Sequence, residues 1–406
     1  MTATTTRASR RTPLAVTGIG VVAPTGLDAE QHWSAVLSGK SGIDRISRFD
    51  PSSYPVTLAG EVAGFVASDS VPGRVLSQTD HWTHLALHAA DAALADAQVD
   101  PAQVPEYDMA VVTASSSGGT EFGQRENQQL YSHGPGWVGA YQSIAWFYAA
   151  TTGQLSIRHG MRGPCGVFCT EQAGGLDALG QARRLVRDGV QVVLTGGTDA
   201  SLCPYGLVAQ LASGLLSEST DPLRAYLPFD EDAHGYVPGE GGAILVTERA
   251  TDEVLEKSYG VLRGYAAGFD LPGRATSLAR TIRRALADAQ ADPSEVDVVY
   301  ADALGTPDAD RAEATALAEV FGPRGVPVTA PKTLTGRLYG GGAALDVATA
   351  LLGQRDGVVP PTAGTTRPRP EIDLVRAPRE LALRASLVVS RGFGGFHAAV
   401  LLGAGR

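Results

Sequence analysis

The segment GPCGVFCTEQAGGLDALGQARR (163–184) reads as a strand, a sharp turn and a helix. Cys165, Val167 and Cys169 alternate with Gly166, Phe168 and Thr170, the period-2 pattern of a strand. Leu176, Leu179, Ala182, Leu185 and Val186 then recur at helical spacing. Several enzyme folds hold a nucleophile at such a turn, where one side chain stands beside the first free N–H groups of a helix. Here the turn carries Glu171 and Gln172. A neutral amide has no lone pair basic enough to attack a thioester at pH 7, so covalent catalysis through Gln172 is not expected.

The other reactive side chains offer little. The cysteines are three, Cys165, Cys169 and Cys203. On one strand face, Cys165 and Cys169 would lie about 13 Å apart, beyond disulfide reach. A reducing cytoplasm is the simplest setting. Cys169 and Cys203 are each expected to be small buried hydrophobes and not displaced nucleophiles. His81, His84 and His88 share a helix face at i, i+3 and i+7, but no carboxylate or cysteine nearby in sequence completes a metal site, and none is expected. His234, in DEDAHGYVPGEGG, is expected to have a local structural role.

The elements that position these residues repeat. ALADAQVDPAQVPEYDMAVVTASSSGG begins at Ala93 and ALADAQADPSEVDVVYADALGT at Ala285; GEGGAILVTE (239–248) is echoed by GFGGFHAAVLLG (392–403). Two echoes in matching order predict a duplicated α/β unit, not a short-period solenoid. Strands alternating with amphipathic helices predict sheets with helices packed on them, in two layers about a pseudo-two-fold axis. The expected division is a flexible tail (1–12), an N-terminal half (13–252) and a C-terminal half (253–406). The tail, rich in Thr, Ser and Arg, superficially resembles a transit peptide, but no apolar signal core follows it. With 406 residues, 44% hydrophobic and 19% charged, the chain can bury a large core. Its net charge of −10 argues against nucleic acid as the main partner. No polybasic stretch suits a membrane surface, and no apolar run approaches the roughly 20 residues of a membrane helix.

With these elements placed, the chain resembles the ketosynthase family of the thiolase fold. The resemblance runs through VTGIGVVAPTG, LPFDEDAHGYVPGEGGAILV, KTLTGRLYGGGAALDVATALL and SRGFGGFHAAVLL, over about residues 13–402. It implies a thiolase-like, duplicated α-β-α-β-α five-layer fold with two pseudo-symmetric halves. In an active family member a cysteine at the elbow takes the acyl chain, while two histidines assist malonyl decarboxylation and stabilise oxyanion charge. Motif on motif, the cysteine position is Gln172, and the histidine positions are Asp302 (in ADALGT) and Arg337 (in KTLTGRLYGGG). Lys332, Asp310 and Glu313 match a supporting charged network. Gly392, Phe393, Gly394 and Gly395 match the loop that supplies an oxyanion-hole donor. Asp302 and Arg337 carry opposite charges, and they are expected to pair within about 4 Å, filling the former catalytic pocket with a hydrogen-bonded ion pair.

Glutamine at the cysteine position, as in EQAGGLD, resembles the chain-length factors, or beta ketosynthase subunits, of aromatic type II polyketide synthases. That implies a heterodimer with a cysteine-bearing ketosynthase alpha subunit, served by an acyl carrier protein and needing no cofactor. The pair builds a poly-β-ketone from malonyl units, and this subunit shapes the tunnel that limits chain length. Thr113, Ser116 and Thr120 are expected at the tunnel floor, where small side chains leave room for a longer product. The apolar stretch YQSIAWFYAATTGQLSIRHG (141–160) is expected in a core or a permanent interface. The alternatives are a malonyl decarboxylase with Gln172 and nearby N–H groups holding an enolate, a stand-alone condensing enzyme using an unorthodox residue, and a purely structural protein.

Overall fold

A computed structural model describes residues 13–271 and 276–405. The expected tail, 1–12, lies outside the described residues. The repeated ALADAQ hexapeptide is explained by the strands beneath it. Its first copy ends helix α1 (His81–Ala97), which packs on strand β1 (Leu14–Val22). Its second copy ends the helix Leu278–Ala289, which packs on the strand Gly260–Phe269. A Cβ on Gly18 would come within 2.1 Å of the Ala93 carbonyl oxygen, and one on Gly264 within 2.2 Å of that of Ala285. Glycine facing alanine therefore brings helix backbone onto strand backbone in both halves. Each strand also skips one residue beside that glycine, Thr17 in one and Arg263 in the other. Such a bulge disrupts the ladder. The hexapeptide's aspartate accepts the next N–H in each case, Asp96 from Ile19 at 2.8 Å and Asp288 from Tyr265 at 2.9 Å. Gln98 and Gln290 then close both helices in the left-handed region, at φ 55° and 54°.

The remaining elements follow the same duplication. After β1 come β2 (Met109–Ala114), β3 (Cys165–Phe168), β4 (Val192–Asp199) and β5 (Gly241–Arg249). The second half supplies β6 (Gly260–Phe269), β7 (Val298–Tyr300), β8 (Pro327–Thr329), β9 (Asp373–Leu374), β10 (Ala385–Arg391) and β11 (Phe396–Ala404). Outward from the centre the strand order is β1-β5-β4-β2-β3 in one half and β6-β11-β10-β7-β8-β9 in the other. The first two pairings of each half are antiparallel and the next two parallel. A short antiparallel contact, Leu14–Val16 against Gly260–Leu262, joins the halves into one hydrogen-bonded ladder.

Between the halves lie α4 (Gly174–Arg187) and α7 (Gly342–Asp356), with α2 (Thr120–His133) and α3 (Ala150–His159) preceding them in the chain. Residues of α4 and α7 share one buried cluster with inward side chains of β1, β5, β10 and β11. The outer faces are covered by α1 on the first half and by α5 (Leu278–Ala289) and α6 (Pro307–Phe321) on the second. On β11, Ala398, Val400 and Leu402 face the central helices while Ala399 and Leu401 face α5, the alternation a sheet covered on both faces requires. These are the five layers expected of the thiolase-like fold.

The central helices explain one feature the pattern leaves obscure. From Gly342 to Gln354 every residue of α7 is buried, so it shows no apolar stripe. At the other extreme, β3 is a sheet edge with half-exposed residues. Beside it Ile144, Trp146, Phe147, Tyr148 and Ile157 are exposed. The 141–160 stretch is thus divided: Ala145, Ala150, Thr151, Thr152 and Leu155 are buried, while most of its aromatic side chains lie on the surface.

Candidate functional site

The elbow is built by β3, a single 3₁₀ turn (Glu171–Ala173) and α4. Glu171 adopts φ 52°, a left-handed conformation disfavoured for any residue with a Cβ. That twist sends neighbouring side chains in opposite directions. Glu171 lines an open cleft of about 290 Å³. Gln172 is fully buried and turned inward, onto α7, where a Cβ on Gly342 would lie 2.1 Å from its Nε2. Neither polar atom of the Gln172 amide has a hydrogen-bond partner. The amide borders a cavity of about 10 Å³ shared with His32, Lys332, Asp346 and Thr349, the size of one water molecule.

The cleft floor carries Asp302 and Arg337, both buried, with Arg337 Nη1 3.1 Å from Asp302 Oδ1. The expected ion pair is therefore present, but not as a hydrogen-bonded one: Arg337 Nη1 and Asp302 Oδ2 make no aligned hydrogen bond, so the contact is mainly Coulombic. The guanidinium is held on three other sides. Nη2 donates to the Arg391 carbonyl, Nε lies 3.4 Å from Glu171 Oε1, and the Tyr236 ring stands 5.8 Å away. Burial disfavours the charged guanidinium, yet the carboxylates of Asp302 and Glu171 outweigh it and hold Arg337 well above the usual arginine range.

Lys332, Asp310 and Glu313 surround the loop that carries Asp302, but they do not form a network with one another. Glu313 accepts the N–H groups of Asp302 and Ala303 at 2.8 and 2.9 Å, fixing Ala303 at φ 53°. Asp310 accepts those of Phe229 and Gly305, at 2.8 and 2.9 Å. Lys332 donates to the Ala301 and Asp302 carbonyls and pairs with Asp346 at 2.8 Å. Burial pushes Glu313 up to about 7, with the Asp302 charge adding to it, and burial pushes Asp310 up to about 6. Asp346 is a residue sequence reasoning missed; its place in GGGAALD, fourteen residues after Lys332, carries no local signal.

Glu171 is the larger omission. Its Oε2 accepts the Phe393 N–H at 2.7 Å, so the backbone donor expected to serve an oxyanion is taken by the chain's own carboxylate. Gly394 and Gly395, at φ 84° and 109°, let the loop fold against the elbow. The described residues lining the cleft include no cysteine, histidine, lysine or serine. The cleft's hydroxyls are those of Thr276, which donates to Asp270 at 2.7 Å, and of Tyr236, which accepts from the Tyr339 hydroxyl at 3.4 Å. An enolate in this cleft would meet neither a free Phe393 N–H nor the Gln172 amide.

The residues expected at a tunnel floor differ in exposure and partners. Thr113, buried on β2, bonds Thr152 Oγ1 at 2.7 Å. Ser116 is exposed, its N–H donating to Asp199. Thr120 is buried at the start of α2. Cys203 is buried, but Cys165 and Cys169 are exposed, because they lie on and just beyond the edge strand β3. The histidines stay together on one face, with the His81 and His84 rings 6.4 Å apart, but each bonds a different partner. His84 bonds Thr79 and is driven down to about 4 by burial, and His88 bonds the Leu27 carbonyl. His81 finds a carboxylate that sequence proximity hid, the buried Glu240 at 3.5 Å, which also pairs with Arg48. His234 is held by Ser217 and the Asp232 carbonyl. Among the described residues, no group of three or more His, Cys, Asp or Glu could hold a metal, and no helix is long and apolar enough to cross a membrane.

Comparison with known proteins decides the lineage. Residues 11–252 match the beta-ketoacyl synthase N-terminal domain and residues 259–366 the C-terminal domain. The chain belongs to the beta-ketoacyl synthase family. It is 60% identical over 401 residues to the tetracenomycin polyketide synthase ketoacyl synthase beta subunit of Streptomyces glaucescens, covering 96% of this chain and 98% of that one. Among solved structures, the ishigamide ketosynthase/chain length factor matches at 26% identity with a TM-score of 0.89, over 97% of this chain and 99% of that chain. A type II polyketide synthase acyl-carrier protein in complex with its ketosynthase bound to the hexaketide matches at 27% identity and TM-score 0.87, over 97% and 100%. Within the family, the likeness thus runs to the beta-subunit or chain-length-factor branch.

Proposed function

We propose that this chain is the non-nucleophilic, chain-length-determining subunit of a type II polyketide synthase ketosynthase heterodimer. In this reading Gln172 stands in the nucleophile's position and Asp302 and Arg337 in those of the two histidines. The halves divide at 252/253, and the complex works in the cytoplasm. The observation that carries the reading is the cleft's lining: a buried ion pair and Glu171 stand where reacting groups would, and the elbow amide faces away. Bond formation is then the task of a cysteine on the partner ketosynthase, with malonyl units delivered by an acyl carrier protein.

The surface supports the partnership. β3 presents an unpaired edge flanked by exposed aromatic and aliphatic side chains, a liability unless another chain covers it. In the assembled pair, Thr113, Ser116 and Thr120 would lie behind that edge, at the end of the acyl tunnel. The test is Thr120→Phe in the co-purified complex with labelled malonyl-carrier protein. Shorter products are expected, with no label bound covalently to this chain. Products of unchanged length from an intact, active complex would overturn the tunnel assignment. A thioester on this subunit would overturn the whole reading.

A further inference from the structure

We propose that Glu171 is a built-in anion, an internal ligand that fills a carboxylate-binding site made by the Phe393 N–H and the Arg337 guanidinium. Three observations converge on it. The carboxylate bridges the two donors, with Oε2 2.7 Å from the Phe393 nitrogen and Oε1 3.4 Å from Arg337 Nε. The residue is held at φ 52°, a conformation that persists only where surrounding contacts fix it. The donors come from segments 166 and 222 residues away, so this site is assembled by the fold and is not a local turn.

The site looks into the 290 Å³ cleft, and the Glu171 side chain is still 16% exposed. Oriented donors of this kind hold small anions well. A carboxylate already in place closes them to any acid or thioester oxygen reaching the cleft and locks the 392–395 loop against the elbow. Gly392 shows how close that packing is: a Cβ there would lie 2.1 Å from the Thr170 carbonyl oxygen. The inference deepens the proposed function by naming the group that keeps the cleft inert, and its test does not depend on product length.

Removing the internal ligand should create a site for an external one of the same chemistry. Glu171→Ala deletes a fragment close in size and charge to acetate. In titration calorimetry of the co-purified complex, E171A should bind one acetate more per chain than wild type. Acetate should also raise its melting temperature, while the neutral isostere acetamide should not. Glu171→Gln keeps the volume without the charge; it should bind no extra acetate, and amide exchange at 392–395 should quicken about tenfold. Equal acetate binding by wild type and E171A would overturn the proposal. Where E171A does not fold, unchanged exchange in folded E171Q overturns it instead. Both outcomes leave the heterodimer reading standing, because either is compatible with a cysteine on the partner.

Discussion

Replacing Arg337 with methionine tests whether the cleft floor is held by charge. The side chain is 2% exposed, and its removal strands Asp302, itself 1% exposed. Asp302 would keep one good donor, the Arg391 N–H at 2.9 Å, while Oδ2 already lacks a partner. Breaking a buried pair from one side typically costs about 3–5 kcal/mol, because the remaining charge stays desolvated. At roughly 2.1 cal/mol/K of unfolding entropy per residue, a chain of 406 residues loses about 1.2 °C per kcal/mol. Arg337→Met should therefore lower the melting temperature by about 4–6 °C.

A double-mutant cycle assigns the loss. Asp302→Asn leaves Arg337 paired with Glu171 and donating to the Arg391 carbonyl, so it should cost less than Arg337→Met. The double variant should be more stable than the sum of the singles by at least about 1 kcal/mol, because it strands no charge between these two positions. Scanning calorimetry at fixed concentration of the complex reads all four proteins. Additive losses, or an Arg337→Met variant melting within about 0.5 °C of wild type, would show that the pair is incidental to the fold.

Two further perturbations probe the surrounding core. Asp199, at the end of β4, accepts the N–H groups of Ser116 and Gly340 and the Ser117 hydroxyl, and burial pushes it up to about 7 from 3.8. Its contribution to stability is full below about pH 4 and is lost as pH rises through about 7, at up to about 1.4 kcal/mol per pH unit. Asp199→Asn should flatten that part of the curve in urea midpoints taken from pH 5 to 8; an unchanged slope would contradict the assignment. Gly342→Ala should cost about 1–3 kcal/mol, since the new methyl meets the buried Gln172 amide. Adding Gln172→Ala should recover most of the loss, and failure to do so in urea unfolding would place the clash elsewhere.

Much of the fold was legible because the duplication wrote it twice. The hexapeptide and the loop and strand after it recur in register, which marks two equivalent halves; the contacts that the hexapeptide makes with a central strand, such as Asp96 with Ile19, join residues far apart in the chain. The elbow was legible too: a change from period 2 to period 3.6 marks it without tertiary information. The Asp302–Arg337 pairing followed once both residues were placed on one pocket by family motifs. Burial was less legible. The aromatic run at 141–160 has the composition of a core, and only the free edge of β3 shows that the chain leaves it for something else to cover.

What the sequence hid is side-chain direction at the turn. Glu171 and Gln172 are adjacent and equally long, and neither is a good nucleophile, so attention falls on the one in the proposed nucleophile position. A positive φ at Glu171 reverses their importance, sending the amide into a water-sized space and the carboxylate to the Phe393 N–H. Nothing in residues 163–184 encodes that, because the donors are supplied by 337 and 393. Loss of a reactive sulfur removes only the attacking atom. Filling the donor site with a fixed carboxylate removes the electrostatic half of the machinery as well, the half that would otherwise still stabilise developing negative charge. An inert cleft thus rests on two independent changes, and restoring a cysteine at 172 alone would leave the Phe393 donor occupied.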